Sequence, residues 1–171
     1  MSDNRRQYDN QLYCHFVTFS CHRRRSLLDE EHPKRILLGQ LNTQLQNRSA
    51  TCVGFVVMPD HVHAVIRFSE TGQLSRFIQH WKRLSSHAIR KWYREGNSAY
   101  FQNSDVPDSI WTPKYYSFEI YSVAKLTEKL EYMHQNPVRA DLVQKCADWK
   151  WSSARWYLEK RTVGVPIGWV D

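Results

Sequence analysis

Short apolar runs rich in aromatic and β-branched residues occur in the first part of the chain and predict β-strands. One run covers residues 13–19 and predicts the first strand. Two more runs, 51–57 and 62–68, are separated by a turn that contains Pro59 and Asp60, a pair that favours chain reversal. These two runs therefore predict a β-hairpin.

Two other stretches carry apolar residues at the three- and four-residue spacing of an α-helix. The first predicts a helix from about Pro33 to Gln46, with an apolar stripe formed by Ile36, Leu37, Leu41 and Leu45. The second predicts a long helix over roughly 74–95, with a stripe formed by Leu74, Phe77, Ile78, Trp81, Leu84 and Ala88. Turn-forming residues follow from Gly96 to Ser109 and predict a loop.

The remaining part of the chain predicts one more strand and one more helix. The strand is expected over the aromatic stretch 111–120. Ser122 is a good N-cap for a helix whose apolar positions are Leu126, Leu130 and Met133. Pro137 disfavours helical geometry in the residue before it, so this helix is expected to end by Asn136.

The predicted order of elements, β-α-β-β-α-β-α, indicates an α+β fold. It is the order of a ferredoxin-like sandwich, an antiparallel sheet with helices packed on one face, with a C-terminal helical tail added. A chain of 171 residues with 42% hydrophobic and 24% charged residues has the composition of one globular domain. We expect a single domain over 1–171, with a core at about 13–143 and a Trp-rich tail at about 144–171 that docks on it.

The charge of the chain points to a polyanionic partner. The formal net charge is +7 at pH 7, which favours nucleic acid before a membrane surface. Basic residues concentrate on the helix predicted over 74–95, where Glu95 is the single acid: Arg76, Lys82, Arg83, Arg90, Lys91 and Arg94. This face is the candidate for contact with DNA phosphates. A solvated helix face has the same composition, so charge alone leaves both interpretations open.

Cysteine usage and the absence of long apolar segments indicate the compartment. The cysteines, Cys14, Cys21, Cys52 and Cys146, have no CxxC spacing and are typical of reduced thiols in a cytosolic protein. The chain has no apolar run of the about 18 residues that a membrane helix needs, and its first residues are polar. We therefore expect a cytoplasmic protein with no membrane partner.

Two histidines beside the predicted hairpin turn are candidate metal ligands. His61 and His63 stand two residues apart, and in a strand such side chains emerge from the same face. Two imidazoles in this position can share one divalent ion. Taken alone, the triplet His-Val-His is more often structural or solvent-exposed, so a third ligand is needed.

Tyr132 and Asn136 supply a second candidate pair. Four residues apart on a helix, their phenol and amide lie on one face. An amide oxygen added to two imidazoles makes a mixed nitrogen and oxygen set that suits Mg²⁺ or Mn²⁺. Spacing alone equally fits a core tyrosine and an asparagine that caps the helix C-terminus.

Longer motifs identify a family that the chain resembles. These are the aromatic strand and Arg-rich turn over 13–25, Val57-Met58-Pro59-Asp60-His61-Val62-His63, Tyr132-Met133-His134-Gln135-Asn136-Pro137-Val138-Arg139-Ala140, and Asp148-Trp149-Lys150-Trp151-Ser152-Ser153. In this order they resemble the REP-associated tyrosine transposases, relatives of the single-strand insertion-sequence transposases in the HUH superfamily. The segment 111–116 departs from the Trp-Gln-Arg-Arg-Phe pattern of many members, so their substrate preference is not carried over.

The resemblance implies a metal-dependent DNA strand transferase that acts on single-stranded or hairpin DNA. It makes Tyr132 the nucleophile of a 5′-phosphotyrosine intermediate, and His61, His63 and Asn136 the ligands of Mg²⁺ or Mn²⁺. Two rival hypotheses stay open: a DNA-binding protein that does not cleave, and a metal-dependent phosphodiesterase that uses water. Either a monomer or a homodimer fits the family.

Overall fold

A computed structural model of the protein describes residues 14–96 and 109–169. The start of the first predicted strand and most of the loop predicted from Gly96 to Ser109 lie outside the described residues. The strands are β1 (Cys14–Ser20), β2 (Thr51–Val57), β3 (His61–Arg67) and β4 (Tyr116–Ile120). The helices are α1 (Glu31–Asn47), α2 (Leu74–Glu95), α3 (Val123–Arg139) and α4 (Ala154–Glu159), with 3-10 turns at His22–Arg24 and Cys146–Asp148.

The strands form a four-stranded antiparallel sheet in the order β2-β3-β1-β4. Helix α1 connects β1 to β2, and α2 connects β3 to β4. This is the predicted α+β, ferredoxin-like arrangement. Since β1 and β3 are the central strands, side chains at their ends are surrounded by neighbouring strands on both sides.

Alternate residues of each strand face opposite sides of the sheet, and each side has its own core. On one side, which we call the α1/α2 face, α1 and α2 pack as predicted against residues that include Val17, Phe19, Phe55, Val62 and Ile66. On the other, the α3 face, α3 packs against residues that include Phe16, Val53, Val56, Val65 and Ile120. The helix added after β4 therefore covers the face opposite to the first two helices.

Gly54 lets α3 approach the sheet closely. A β-carbon at this position would lie 2.4 Å from Cδ2 of Leu130, a residue of α3 that is itself buried. Any larger residue would force the leucine or the helix to move. Gly54 therefore sets how closely α3 lies to the sheet.

Two predicted boundaries are wrong by three residues or more. Only the second half of the stretch 111–120 is strand: Trp111 makes a single bridge to Cys21, and its indole nitrogen donates to the main-chain oxygen of Lys82 at 3.1 Å. Helix α3 does not end by Asn136 but runs to Arg139, with a buried Pro137 in its last turn. The amide of Ala140 closes that turn on the oxygen of Asn136 at 3.0 Å.

The Trp-rich tail docks along β2, as expected. The amide of Val57 donates to the oxygen of Trp151 at 2.8 Å, and that of Ser153 to the oxygen of Phe55 at 2.9 Å. The indole nitrogen of Trp149 adds a bond to the oxygen of Val57 at 2.9 Å. The tail thus pairs with the outer edge of β2 through its main chain.

All four cysteines lie among the described residues as free thiols. Cys14, Cys21 and Cys52 are buried free thiols, and Cys146 is a half-buried one. Burial raises the pKa of Cys21 to about 12, which makes it an inert core residue. Among residues 14–96 and 109–169, every helix is too short or too polar to cross a membrane.

Candidate active site

His61 and His63 lie on the α3 face of the sheet, at the end of β3 that follows the hairpin turn. They point to the same side, as their spacing predicted, and their ring centroids are 4.8 Å apart. His61 is 9% exposed and His63 6% exposed. Histidines are seldom buried this deeply without a partner, so two such imidazoles side by side are suited to bind one shared ligand.

Each imidazole is oriented by a second side chain at its Nδ1 atom. His61 Nδ1 donates to Oδ1 of Asp60 at 2.6 Å, and the other oxygen of that carboxylate pairs with Nε of Arg24 at 3.0 Å. His63 Nδ1 lies 2.5 Å from the hydroxyl of Thr18, its partner in the β1–β3 register. With the proton on Nδ1, both histidines keep the Nε2 lone pair for a ligand.

Burial keeps both imidazoles neutral. Loss of hydration lowers the pKa of His61, although hydrogen bonding to Asp60 opposes the change. Burial, together with the nearby His61 and the positive charges of Arg24, Arg139 and Lys129, lowers the pKa of His63 to about 3. Neutral imidazole is the form that binds a metal ion.

Helix α3 brings the other predicted pair to the histidines. The amide nitrogen of Asn136 lies 3.1 Å from Nε2 of His61 and can donate to it. Tyr132, one turn earlier, is 48% exposed, and its ring centroid is 5.7 Å from that of His63. The fold therefore gathers His61, His63, Tyr132 and Asn136 at one place, from a strand and a helix far apart in sequence.

Two basic residues of α3 that the sequence analysis missed flank the tyrosine. Arg139 lies with its guanidinium carbon 4.6 Å from the centre of the Tyr132 ring and donates to the main-chain oxygen of Tyr132 at 2.6 Å. Lys129 places its ammonium 5.0 Å from the ring of Phe16. Lys129 lies three residues before Tyr132, and Arg139 lies three residues after Asn136. This helical spacing is the signal in the sequence that could have found both basic residues.

The donor set fits a hard divalent ion. Within the described ranges, 14–96 and 109–169, no three His, Cys, Asp or Glu side chains gather as a metal site. Besides the two imidazoles, the donor that faces Nε2 of His61 is therefore the amide of Asn136. An amide turned by 180° presents its oxygen where the nitrogen stood. Two nitrogen donors and one neutral oxygen donor suit Mg²⁺ or Mn²⁺ with positions left for substrate oxygens.

The basic residues of α2 lie away from this cluster. Helix α2 packs on the α1/α2 face, so the sheet separates it from Tyr132. Four of the six basic residues predicted to contact DNA are exposed, namely Arg76, Arg83, Lys91 and Arg94. The other two, Lys82 and Arg90, are half-buried. The ammonium of Lys82 donates to the main-chain oxygen of Thr112 at 2.6 Å. Lys82 thus anchors the segment before β4, which the pattern of charge could not reveal.

Comparison with known proteins shows that the fold is shared with solved transposase structures. The fold is similar to that of a REP-associated tyrosine transposase solved bound to a REP hairpin, at 22% identity and a TM-score of 0.73, over 100% of this chain and 92% of that chain. It is also similar to a candidate transposase from Deinococcus radiodurans R1, at 16% identity and a TM-score of 0.53, over 71% of this chain and 88% of that chain. No match is found among curated proteins.

A sequence match establishes the family. The family of IS200-like transposases matches residues 8–136, a range that contains both histidines, the tyrosine and the asparagine. The chain belongs to this transposase family.

Proposed function

We propose that this protein is a metal-dependent transferase of single-stranded DNA that cuts and rejoins hairpin-forming DNA through a phosphotyrosine on Tyr132. One observation carries the proposal: an exposed tyrosine stands beside two buried neutral histidines and an asparagine amide. Tyr132 would not require these neighbours if it only packed in the core, nor would Asn136 if it only capped the helix. A protein that only binds DNA would have no use for buried paired imidazoles.

The reaction is a transesterification at one phosphodiester. The phenol oxygen of Tyr132 bonds to phosphorus as the bond from phosphorus to the 3′ oxygen breaks, which leaves a 5′-phosphotyrosine and a DNA strand with a free 3′-hydroxyl. The half-exposed phenol releases its proton to solvent, and the departing 3′ oxygen takes one up. Attack by a 3′-hydroxyl on the phosphotyrosine reverses these bond changes and rejoins DNA.

Side chains around the tyrosine hold the reacting groups in place. His61, His63 and Asn136 would hold a divalent ion, which when bound supplies Lewis-acid polarisation of the scissile phosphate. Arg139 fixes the tyrosine by stacking on its ring and bonding its main chain. Its positive charge, with that of Lys129, favours a phosphate at this place.

Hairpin-forming DNA is the substrate that the comparisons favour. The REP-associated tyrosine transposase whose fold is similar was solved with a REP hairpin, and the net charge of +7 suits a polyanion. The exposed basic residues of α2 are a second candidate contact. Because they lie behind the sheet, a DNA molecule that reached both places would have to pass around its edge.

Covalent capture tests this function. The full chain, with Mg²⁺, is incubated with an oligonucleotide hairpin that has single-stranded flanks and is labelled at either end. We expect the 3′-labelled product to migrate with the protein in denaturing gels until protease is added, and the 5′-labelled product to be extended by a polymerase. Binding without cleavage would support the DNA-binding rival, and cleavage without a covalent product would support hydrolysis by water.

The contribution of α2 can be measured through the salt dependence of DNA binding. Replacing Arg76, Arg83 and Lys91 by alanine should weaken binding of the hairpin oligonucleotide. If each contacts a phosphate, the slope of log K against log salt concentration should fall by about 2 to 3. Fluorescence anisotropy at several salt concentrations gives both values.

A second triple variant controls for the loss of charge itself. Lys145, Lys160 and Arg161 are exposed in the tail, and replacing them by alanine also removes three positive charges. We expect this variant to keep the parental slope. Equal slopes for all three proteins would show that α2 faces away from DNA.

A further inference from the structure

A row of aromatic side chains leads from the candidate active site to the edge of the sheet. Phe16 is 3% exposed and stacks on His63 at 5.3 Å and 22°. Tyr132 and Tyr116 both meet the Phe16 ring edge-on, at 6.3 and 6.4 Å. The buried phenylalanine therefore supports two exposed tyrosines, one of which is the proposed nucleophile.

The strand register fixes how far the second tyrosine lies from the histidines. Thr18 is paired with His63 on one side and with Tyr116 on the other. Neighbouring strands are about 4.8 Å apart, so Tyr116 lies roughly 10 Å from His63 across the sheet. A DNA strand whose phosphate is held at the histidines would therefore bring its next nucleotide, or the one after it, to Tyr116.

Tyr116 lies on the outer strand and is open to solvent. Its side chain is 39% exposed, and among residues 14–96 and 109–169, β4 is the last strand of the sheet on that side. Phe118, two residues along, is half-buried on the same face. Exposed aromatic rings beside a catalytic centre are suited to cover the flat face of a ligand.

Positive charge alternates with these rings. The Lys129 ammonium lies 4.8 Å from the ring of Phe118 and 5.0 Å from that of Phe16, and Arg139 lies over Tyr132. A surface that alternates aromatic rings with cations is the kind that binds single-stranded nucleic acid, since bases stack while phosphates meet the charges. The two cations favour a polyanionic ligand over a protein partner.

We propose that Tyr116, supported by Phe16 and Phe118, stacks on an unpaired nucleobase next to the scissile phosphate, with Lys129 on the adjoining backbone phosphate. The DNA strand then enters the active site over the β4 edge of the sheet. This inference rests on the proposed function, because it takes the phosphate at Tyr132 as its starting point.

Fluorescence of 2-aminopurine tests the stacking directly. A hairpin oligonucleotide carries one 2-aminopurine, moved step by step through its single-stranded flanks, and binds the full chain with Tyr132→Phe so that no cleavage intervenes. We expect one or two positions to be quenched on binding. Tyr116→Leu, added to that variant, should abolish this quenching and weaken binding about 5- to 150-fold, the range for one base–aromatic stack.

Matched variants separate stacking from folding. Tyr116→Trp should keep the quenching, because it keeps an aromatic face, and Tyr116→Thr should lose it as Tyr116→Leu does while favouring the strand. Tyr121→Leu removes a tyrosine that is 67% exposed just beyond the opposite end of β4, where its ring lies 6.4 Å from that of Phe118, and it should leave the quenching in place. Circular dichroism checks that each variant is folded.

The outcomes distinguish this inference from the function on which it rests. Quenching that survives both Tyr116→Leu and Tyr116→Thr, or that appears at no position, overturns the stacking site even if the parent protein forms its covalent product. If the quenching depends on Tyr116 but the parent protein forms no covalent product, the base-binding site is supported and the proposed chemistry is wrong.

Discussion

Tyr132→Phe should bind hairpin-flanked single-stranded DNA as the parent does and form no covalent product. The substitution removes one oxygen from a ring that is 48% exposed. The bond that Arg139 makes goes to the main-chain oxygen of Tyr132 and is kept. Loss of an enzyme nucleophile lowers the rate by roughly 10⁴- to 10⁶-fold, while loss of an exposed hydroxyl changes the free energy of unfolding by about 0.5 kcal/mol or less.

Labelled oligonucleotides in denaturing gels measure the chemistry, and thermal unfolding measures the stability. Tyr121→Phe is the matched control, because Tyr121 is also exposed but lies at the other end of β4 from the histidines. It should form the covalent product at the parental rate. If Tyr132→Phe cleaves DNA as fast as the parent, the nucleophile is water or another tyrosine, and transesterification through Tyr132 is wrong.

Removing both imidazoles should have the second-largest effect. The double variant His61→Ala, His63→Ala, or the parent in EDTA, should lose cleavage by about 10³-fold or more, since Lewis-acid stabilisation of the reacting phosphate amounts to several kcal/mol. Binding of the oligonucleotide should persist. In the parent, Mn²⁺ should also raise the midpoint of thermal unfolding, because a ligand that binds only the folded state stabilises it.

The double variant should lose that thermal shift, a result that does not depend on cleavage. His87→Ala, at an exposed position of α2, is the control and should keep both cleavage and the shift. Full cleavage in EDTA would contradict the assignment of His61, His63 and Asn136 as metal ligands.

Sequence patterns predicted those parts of the fold that are decided locally. The bounds of α2 and β2 agree with the prediction at both ends, because a helical stripe and a β-branched run are read from neighbouring residues. The strand predicted from 111 onward was too long, since the Trp111 indole bonds to a main-chain oxygen of α2. That bond depends on the packing of distant elements, which the aromatic composition of 111–115 does not encode.

The candidate site divides in the same way. The pairs His61 with His63 and Tyr132 with Asn136 each lie within one element, so spacing found them. Thr18 is 45 residues from His63 along the chain, and only the register of β1 with β3 brings its hydroxyl to the imidazole. Such a partner is visible in the structure and hidden in the sequence.

The pairing of the Trp-rich tail with β2 bears on how copies of the protein can associate. A strand edge with free amide and carbonyl groups recruits other strands and promotes aggregation, and the tail occupies that edge at Phe55 and Val57. Within the described residues, β4 is the other outer strand. A dimer that joined two sheets into one would have to form there, beside Tyr116, and would compete with an entering DNA strand. If DNA enters over β4 as proposed, we expect a homodimer that is active on DNA to use helices or loops as its interface.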